Sequence, residues 1–219
     1  MDPWDWSYAL EILPDLLRGL LITFQATVLG AIFAYLLGLL LALLRRSELP
    51  VVSQLTYGFI VFVRSTPLLV QIYFVFNVLP QFGVTLGALT SGVIALGVHY
   101  ACYTAEVYRA GIDAVPRGQW EAATALNLPR SRVWSAVILP QAIPRVLPAL
   151  GNYTISMYKE VPLLLSIGVL DIVGRAEEAA TTSFRSVEPY TIAGLFFLLL
   201  SYPAGVLVRR LERRVGFAH

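Results

Sequence analysis

Five apolar stretches constrain this chain more than any other feature, because each is long enough to cross a bilayer as a helix. A helix needs about 20 apolar residues to span roughly 30 Å of hydrocarbon, and the stretches fall at about Leu16–Leu44, Ser53–Leu79, Leu86–Ala110, Val146–Leu170 and Pro189–Val208. The chain is 219 residues long, 57% hydrophobic and 14% charged, which leaves little material for a soluble domain beside the spans. Backbone polar groups must be satisfied inside the element that crosses lipid. The expected fold is therefore all-α: one polytopic membrane domain, 1–219, of five transmembrane helices. The third stretch is the weakest by hydropathy, being rich in Gly, Ala and Tyr.

Basic residues orient the spans. Arg45, Arg46, Arg109, Arg117, Arg130, Arg132, Arg145, Arg209, Arg210, Arg213 and Arg214 fall on one side of the five stretches. Arg18, Arg175 and Arg185 fall on the other, with Asp2, Asp5, Glu11, Asp15, Asp171, Glu177, Glu178 and Glu188. The excess of Lys and Arg on cytoplasmic loops puts the N-terminus outside and the C-terminus inside. The opening Met1-Asp2-Pro3-Trp4-Asp5-Trp6 is acidic and aromatic where a cleavable leader starts basic. It is expected to be retained, with its tryptophans at the interface. Arg209 to Arg214 read as a topology anchor after the last span rather than a nucleic-acid or lipid-headgroup patch.

Small residues mark packing seams. Gly30, Ala34 and Gly38 recur every four residues in the first span, and Gly97, Ala101 and Ala105 in the third. That spacing lets backbones approach closely in lipid.

Two spans carry the same interruption. Arg64-Ser65-Thr66-Pro67-Leu68-Leu69-Val70-Gln71-Ile72 and Lys159-Glu160-Val161-Pro162-Leu163-Leu164-Leu165-Ser166-Ile167 both read basic-x-x-Pro-Leu-Leu-x-polar-Ile. Proline removes the donor to the carbonyl four residues back, freeing Val63 and Tyr158. Each cation is expected near mid-membrane, where it costs at least about 2.5–3.5 kcal/mol and marks a pathway or an ion pair. Paired interruptions of this kind point to a translocation site. Asn152, Ser156, Lys159 and Glu160 are expected on one face of the fourth helix, and His99, Cys102, Tyr103 and Glu106 on one face of the third. Arg64, Gln71, Tyr103, Glu106, Asn152, Ser156, Lys159 and Glu160 are thus the candidate lining of a route for a zwitterion. The other reading pairs Arg64 and Lys159 with acids such as Glu106 or Glu160 simply to hold the bundle. His99 with Cys102 is too small a set for a metal, since zinc wants four ligands.

The polar island between the third and fourth stretches is the expected docking surface. Gly118-Gln119-Trp120-Glu121-Ala122-Ala123, then Asn127, then Ile138-Leu139-Pro140, resembles the EAA loop of ABC-importer permeases, whose pattern is E-A-A, three residues, Gly, about nine residues and I-x-L-P. Asn127 stands where that family has glycine, and is the best non-glycine residue for a left-handed helix C-cap. The resemblance to the polar-amino-acid branch extends to R-S-T-P-L-L-V-Q at Arg64–Gln71 and Y-T-A-E-V-Y-R-A-G at Tyr103–Gly111. The fourth span departs from the branch's usual K-D-[ST]-S-L, and Lys159-Glu160-Val161-Pro162-Leu163-Leu164 with the Trp4-Asp5-Trp6 opening is similar to ectoine and hydroxyectoine uptake permeases.

The resemblance implies a coupling segment at about 111–145, with Gly118, Glu121, Ala122, Ala123, Asn127, Leu139 and Pro140 meeting a cytoplasmic ATPase. Gly118–Leu126 would form a short helix with Ala122 and Ala123 on a flat contact surface, and Pro129 would open a second one. It also implies a second permease subunit, an external solute-binding protein, and location in a bacterial inner membrane. Lys159 is the only lysine and no G-x-x-x-x-G-K-[ST] is present, so no P-loop is available on this chain. ATP and magnesium belong on the partner ATPase, no cofactor is expected here, and the chain is expected not to be an enzyme. No nucleic-acid partner is expected. A stand-alone channel or secondary carrier using Arg64, Glu106 and Lys159 remains the competing reading, and a bare amphipathic connector remains the alternative for the loop.

Overall fold

The computed structural model describes residues 4–216; Asp2, counted above among the outer acids, and the two ends of the expected domain lie outside them. All regular elements among the described residues are helical.

Helix α1 runs from Trp6 to Arg45, 40 residues, or about 60 Å at 1.5 Å per residue. It therefore starts well before the expected Leu16. Asp5 caps it, its Oδ1 accepting from the backbone N–H of Ser7 at 2.9 Å and of Tyr8 at 3.3 Å. The added turns persist because one face is buried: Ile12 and Leu16 pack with Ile172, Ala176 and Ala193, and Tyr8 covers the cluster.

Helices α2 (Pro50–Arg64) and α3 (Leu68–Tyr73) were expected as one span. They meet instead at a 105° bend. Pro67 sits in the break with φ −62° and ψ 136°, an extended geometry that proline accommodates and a helix does not. A widened turn at Phe74–Val78 and a tight one at Leu79–Phe82 complete the segment. Helix α4 spans Ala88–Asp113.

The connection to the next long helix contains α5 (Arg117–Ala125) and α6 (Arg130–Arg132). Through a widened turn at Val133–Ile138, α6 runs into α7 (Leu139–Glu160), which tightens into a 3₁₀ stretch at Val161–Ile167. Arg130–Ile167 is thus one helix of 38 residues, and the expected start at Val146 is too late. Pro140, Pro144 and Pro148 suggest a loop because each removes a backbone donor. The widened turn ahead of Pro140 absorbs the first loss, and the Gln141 side chain donates to the Val137 carbonyl at 2.7 Å. A short helix not expected from sequence, α8 (Ile172–Ser183), precedes α9 (Val187–Gly216).

Among the described residues three helices are long and apolar enough to cross a membrane: α1, Arg130–Ile167 and α9, with the bent α2–α3 pair as a fourth candidate. Helix α4 is less apolar and is held by packing against α1. Both small-residue stretches are packing seams, and they meet each other there: Ala34 and Ala101 are fully buried, and Thr104 Oγ1 donates to the Ala34 carbonyl at 3.1 Å. A Cβ on Gly38 would lie 2.9 Å from the Ala101 carbonyl oxygen, so only glycine permits this approach.

Candidate functional site

The α4–α7 connection is built as a rigid plate. Trp120 on α5 packs edge-on against Trp134, ring centroids 5.5 Å apart, over a core of Ile112, Val115, Ile138 and Ala142. Helix α5 ends in a Schellman turn: the Leu128 N–H donates to the Ala123 carbonyl at 3.1 Å and the Asn127 N–H to the Thr124 carbonyl at 2.9 Å. Asn127 is left-handed at φ 48°, the geometry its place in the sequence predicts. Gly118, Glu121, Ala122 and Asn127 are exposed, as are Leu139 and Pro140. Ala123 is not. At 2% exposure it sits under the helix, because neighbours on a helix point about 100° apart and Ala122 takes the outward direction. Pro129 precedes α6 as its cap rather than opening its first turn.

A second polar region lies where the α2–α3 break meets α4 and α7. His99, Tyr100 and Tyr103 on α4 and Tyr153 on α7 form a ring cluster with centroids 5.1–6.2 Å apart. The Arg64 guanidinium stacks on Tyr103, 4.9 Å from its centroid. Tyr100 donates its hydroxyl to Glu160 Oε2 at 2.7 Å.

Gln71 closes the break. Its Nε2 donates to the Val63 carbonyl at 2.8 Å and to Thr66 Oγ1 at 2.8 Å, with the Thr66 carbonyl at 3.1 Å, while His99 Nδ1 bonds its Oε1 at 3.2 Å. The carbonyl that Pro67 frees is therefore satisfied by Gln71 from the next turn together with the hydroxyl and N–H of Thr66, at 3.0 and 3.3 Å.

The structure brings Arg64, Gln71, Tyr103 and Glu160 around this cluster and sends the other candidates elsewhere. Glu106 pairs with Arg109 at 2.7 Å, and Arg109 reaches Asp113 at 3.1 Å. Among the described residues neither Arg64 nor Lys159 has a carboxylate within salt-bridge distance, which removes the simple pairing expected with Glu106 or Glu160. Asn152, Ser156 and Lys159 share an exposed stripe of α7. Asn152 donates to Glu212 of α9 at 3.1 Å, and Lys159 borders a cleft with Pro162, Phe197, Leu198 and Ser201. Glu160 leaves that stripe for Tyr100, being about 100° around the helix from Lys159. His99 and Cys102 diverge too, since Cys102 is buried with Leu41, Ala42, Ile60 and Val63. Sequence reasoning did not single out Tyr100, Tyr153 or the Trp120–Trp134 pair. The first two become partners only across α4 and α7, and no local spacing records that.

The family model described as "Binding-protein-dependent transport system inner membrane component" matches residues 34–217. The probable amino-acid ABC transporter permease protein y4tG of Sinorhizobium fredii is 43% identical over 203 residues, 93% of this chain and 88% of that one. The arginine transport system permease protein ArtQ of Bacillus subtilis is 33% identical over 96% of this chain and 97% of its own. A crystal structure of an amino acid ABC transporter with histidines superposes with a TM-score of 0.89 at 36% identity, over 96% of this chain and 99% of that one. An inward-facing form of the methionine transporter MetNI, at 19% identity and TM-score 0.74, shares the fold. With the family model, these relatives and the fold in agreement, the chain belongs to the family of inner membrane components of binding-protein-dependent transport systems.

Proposed function

We propose that this chain is the membrane-spanning permease subunit of an ATP-driven importer that carries a polar amino acid or a related zwitterion, ectoine and hydroxyectoine included, across a bacterial inner membrane. It works with cytoplasmic ATPase subunits, a second permease subunit and an external solute-binding protein. The chain crosses five times, through α1, the α2–α3 pair, α4, the Arg130–Ile167 helix and α9, with the N-terminus outside. The arginine distribution supports that orientation. The relatives named for arginine, cystine and glutamine transport support the solute class.

The observation that carries this reading is the α5 plate. Glu121 and Ala122 face outward from a short helix closed by Asn127, and the plate is clamped through Trp120 and Trp134 to the start of a helix that runs unbroken to Ile167. An ATPase gripping α5 as it closes on ATP has a stiff lever to the region of Lys159 and Glu160. Arg64 and Lys159 offer unpaired positive charge for a carboxylate, while Glu160 and the tyrosine faces suit the cationic end.

The test is reconstitution with the ATPase and binding protein, measuring ATP hydrolysis and labelled-solute uptake together. Glu121→Lys and Ala122→Trp are expected to leave insertion intact and abolish uptake driven by ATP. Normal uptake in both variants would remove α5 from the coupling role. Uptake that persists without any ATPase would establish a channel or carrier instead.

A further inference from the structure

We infer that the inner end of α9 is a binding site for the phosphate headgroups of anionic phospholipids, built from Arg209, Arg210, Arg213 and Arg214. The inference rests on α9 spanning the membrane, as proposed above, and on three observations. The first is reach. Helix α9 has 30 residues, about 45 Å of rise against about 30 Å of hydrocarbon. Its last apolar residue before the basic run, Val208, is followed at once by Arg209. From Arg209 to Arg214 the helix rises about 7.5 Å, which matches the depth of one headgroup layer, about 5–7.5 Å on each side of the hydrocarbon.

The second observation is direction. At about 100° per residue, with Arg209 at zero, the four arginines fan over an arc from about 0° to 140°. Val208, which is buried, and Glu212, which accepts from Asn152 of α7, lie at about 260° and 300°. The bundle is on that side, so the arginine fan points away from the rest of this chain. The third is availability. All four side chains are exposed, and among the described residues none makes a salt bridge, the neighbouring Glu212 being held by Asn152. Arg209 with Arg213, and Arg210 with Arg214, are i, i+4 pairs that present two guanidinium forks side by side. Each fork matches the oxygens of a phosphate. Because Glu212 ties the same turn to α7, a headgroup seated here also steadies the helix that carries Lys159.

The experiment uses the full chain purified from vesicles of phosphatidylcholine and phosphatidylglycerol, with mass spectrometry of the lipid that stays bound. Wild-type protein is expected to retain phosphatidylglycerol in excess over its share of the vesicle. Each arginine lost is expected to lower that preference about fivefold, from about 1 kcal/mol per basic residue at an anionic surface. R213Q/R214Q and R209Q/R210Q should therefore each lose most of it, while the four Arg→Lys changes together should keep much of it. Two separate pairs are used because removing all four charges threatens insertion itself. Unchanged enrichment in both pairs overturns the site. Enrichment lost equally in the lysine variant supports the site through its guanidinium forks rather than through charge alone. Enrichment kept while ATPase co-purification falls would make the patch a protein contact. None of these readouts requires transport, so failure of the importer reading is seen separately.

Discussion

Replacing Gln71 with Leu tests whether the 105° break is held by a side chain. The substitution keeps the bulk and deletes the amide, so the donors to the Val63 carbonyl and Thr66 and the acceptor facing His99 vanish together. An unsatisfied buried carbonyl costs about 1–3 kcal/mol. Two features pull the figure down. The Thr66 hydroxyl also donates to Val63, at 3.0 Å, and side-chain hydrogen bonds inside membrane proteins average about 0.6 kcal/mol with a ceiling near 1.7. With one carbonyl partly covered and His99 left without its partner, the expected loss is about 1–2 kcal/mol. Reversible denaturation of the purified protein in mixed micelles measures it. His99→Ala should then cost less in the Gln71→Leu background than alone, by the one shared bond, while the loss of its packing on Tyr100 and Tyr103 is felt in both. Additive losses, or a Gln71→Leu protein as stable as wild type, would refute the clamp. A rise in solute KM with no stability change would return Gln71 to the solute route.

Other consequences follow from the packing and the charges. Gly38→Ala should destabilise by about 1–3 kcal/mol, since the new methyl meets the Ala101 carbonyl oxygen at 2.9 Å, whereas Gly58→Ala, with open space around it, should gain up to about 1 kcal/mol; the same denaturation assay separates them. In a Cys102→Ala background, S131C and E48C should react with an impermeant thiol reagent only after cells are opened, and T182C in intact cells; labelling of S131C from outside overturns the orientation. Asp171 caps α8 with one carboxylate oxygen while the other is buried without a partner, and burial pushes its pKa from 3.8 up to about 6. The folded state thus holds a proton that the unfolded chain releases, so Asp171 penalises stability above pH 6 and the penalty fades as pH falls toward 4. The difference amounts to about 3 kcal/mol at most. The melting temperature should rise between pH 7 and 5 in wild type, and D171N should flatten that slope; an unchanged slope sinks the assignment.

How much of this was legible in the sequence depended on range. The α1–α4 seam could be read because Gly30, Ala34 and Gly38 repeat on one helix and Gly97, Ala101 and Ala105 on another, and small residues in lipid have few other uses. Asn127 was legible for the same reason, since few residues tolerate a left-handed turn. The start of the long helix at Arg130 was hidden by Pro140, Pro144 and Pro148, the first of which follows a widened turn at Val133–Ile138 that keeps the helix continuous. Helix α8 and the first turns of α1 were hidden because they are stabilised by each other: Ile12 packs with Ile172 and Ala176, and the Tyr8 hydroxyl donates to the Ala179 carbonyl at 3.0 Å. Neither segment is apolar or periodic enough to announce itself alone.

The two proline interruptions show how far a shared pattern can mislead. Both read basic-x-x-Pro-Leu-Leu-x-polar-Ile, yet one folds into a 105° bend and the other into a 3₁₀ continuation of its helix. The polar residue goes with the difference. Gln71 is long enough to reach back across the break to Val63 and Thr66, so the opened backbone is paired and the bend is stable. Ser166 has no such reach. Its hydroxyl donates to the Leu163 carbonyl three residues back, at 2.7 Å, which keeps a tight helical turn. Val161 accordingly remains helical at φ −51° and ψ −38°, against the usual effect of a following proline. The cations then part company. Arg64, at the end of α2, is exposed but stacks on Tyr103 at the edge of the aromatic cluster, while Lys159 stays on the exposed stripe of an unbroken helix beside α9. The two cations thus sit on elements of different build, Arg64 at the edge of a 105° bend and Lys159 on a helix continuous from Arg130 to Ile167. Equivalence in sequence does not become equivalence in the fold.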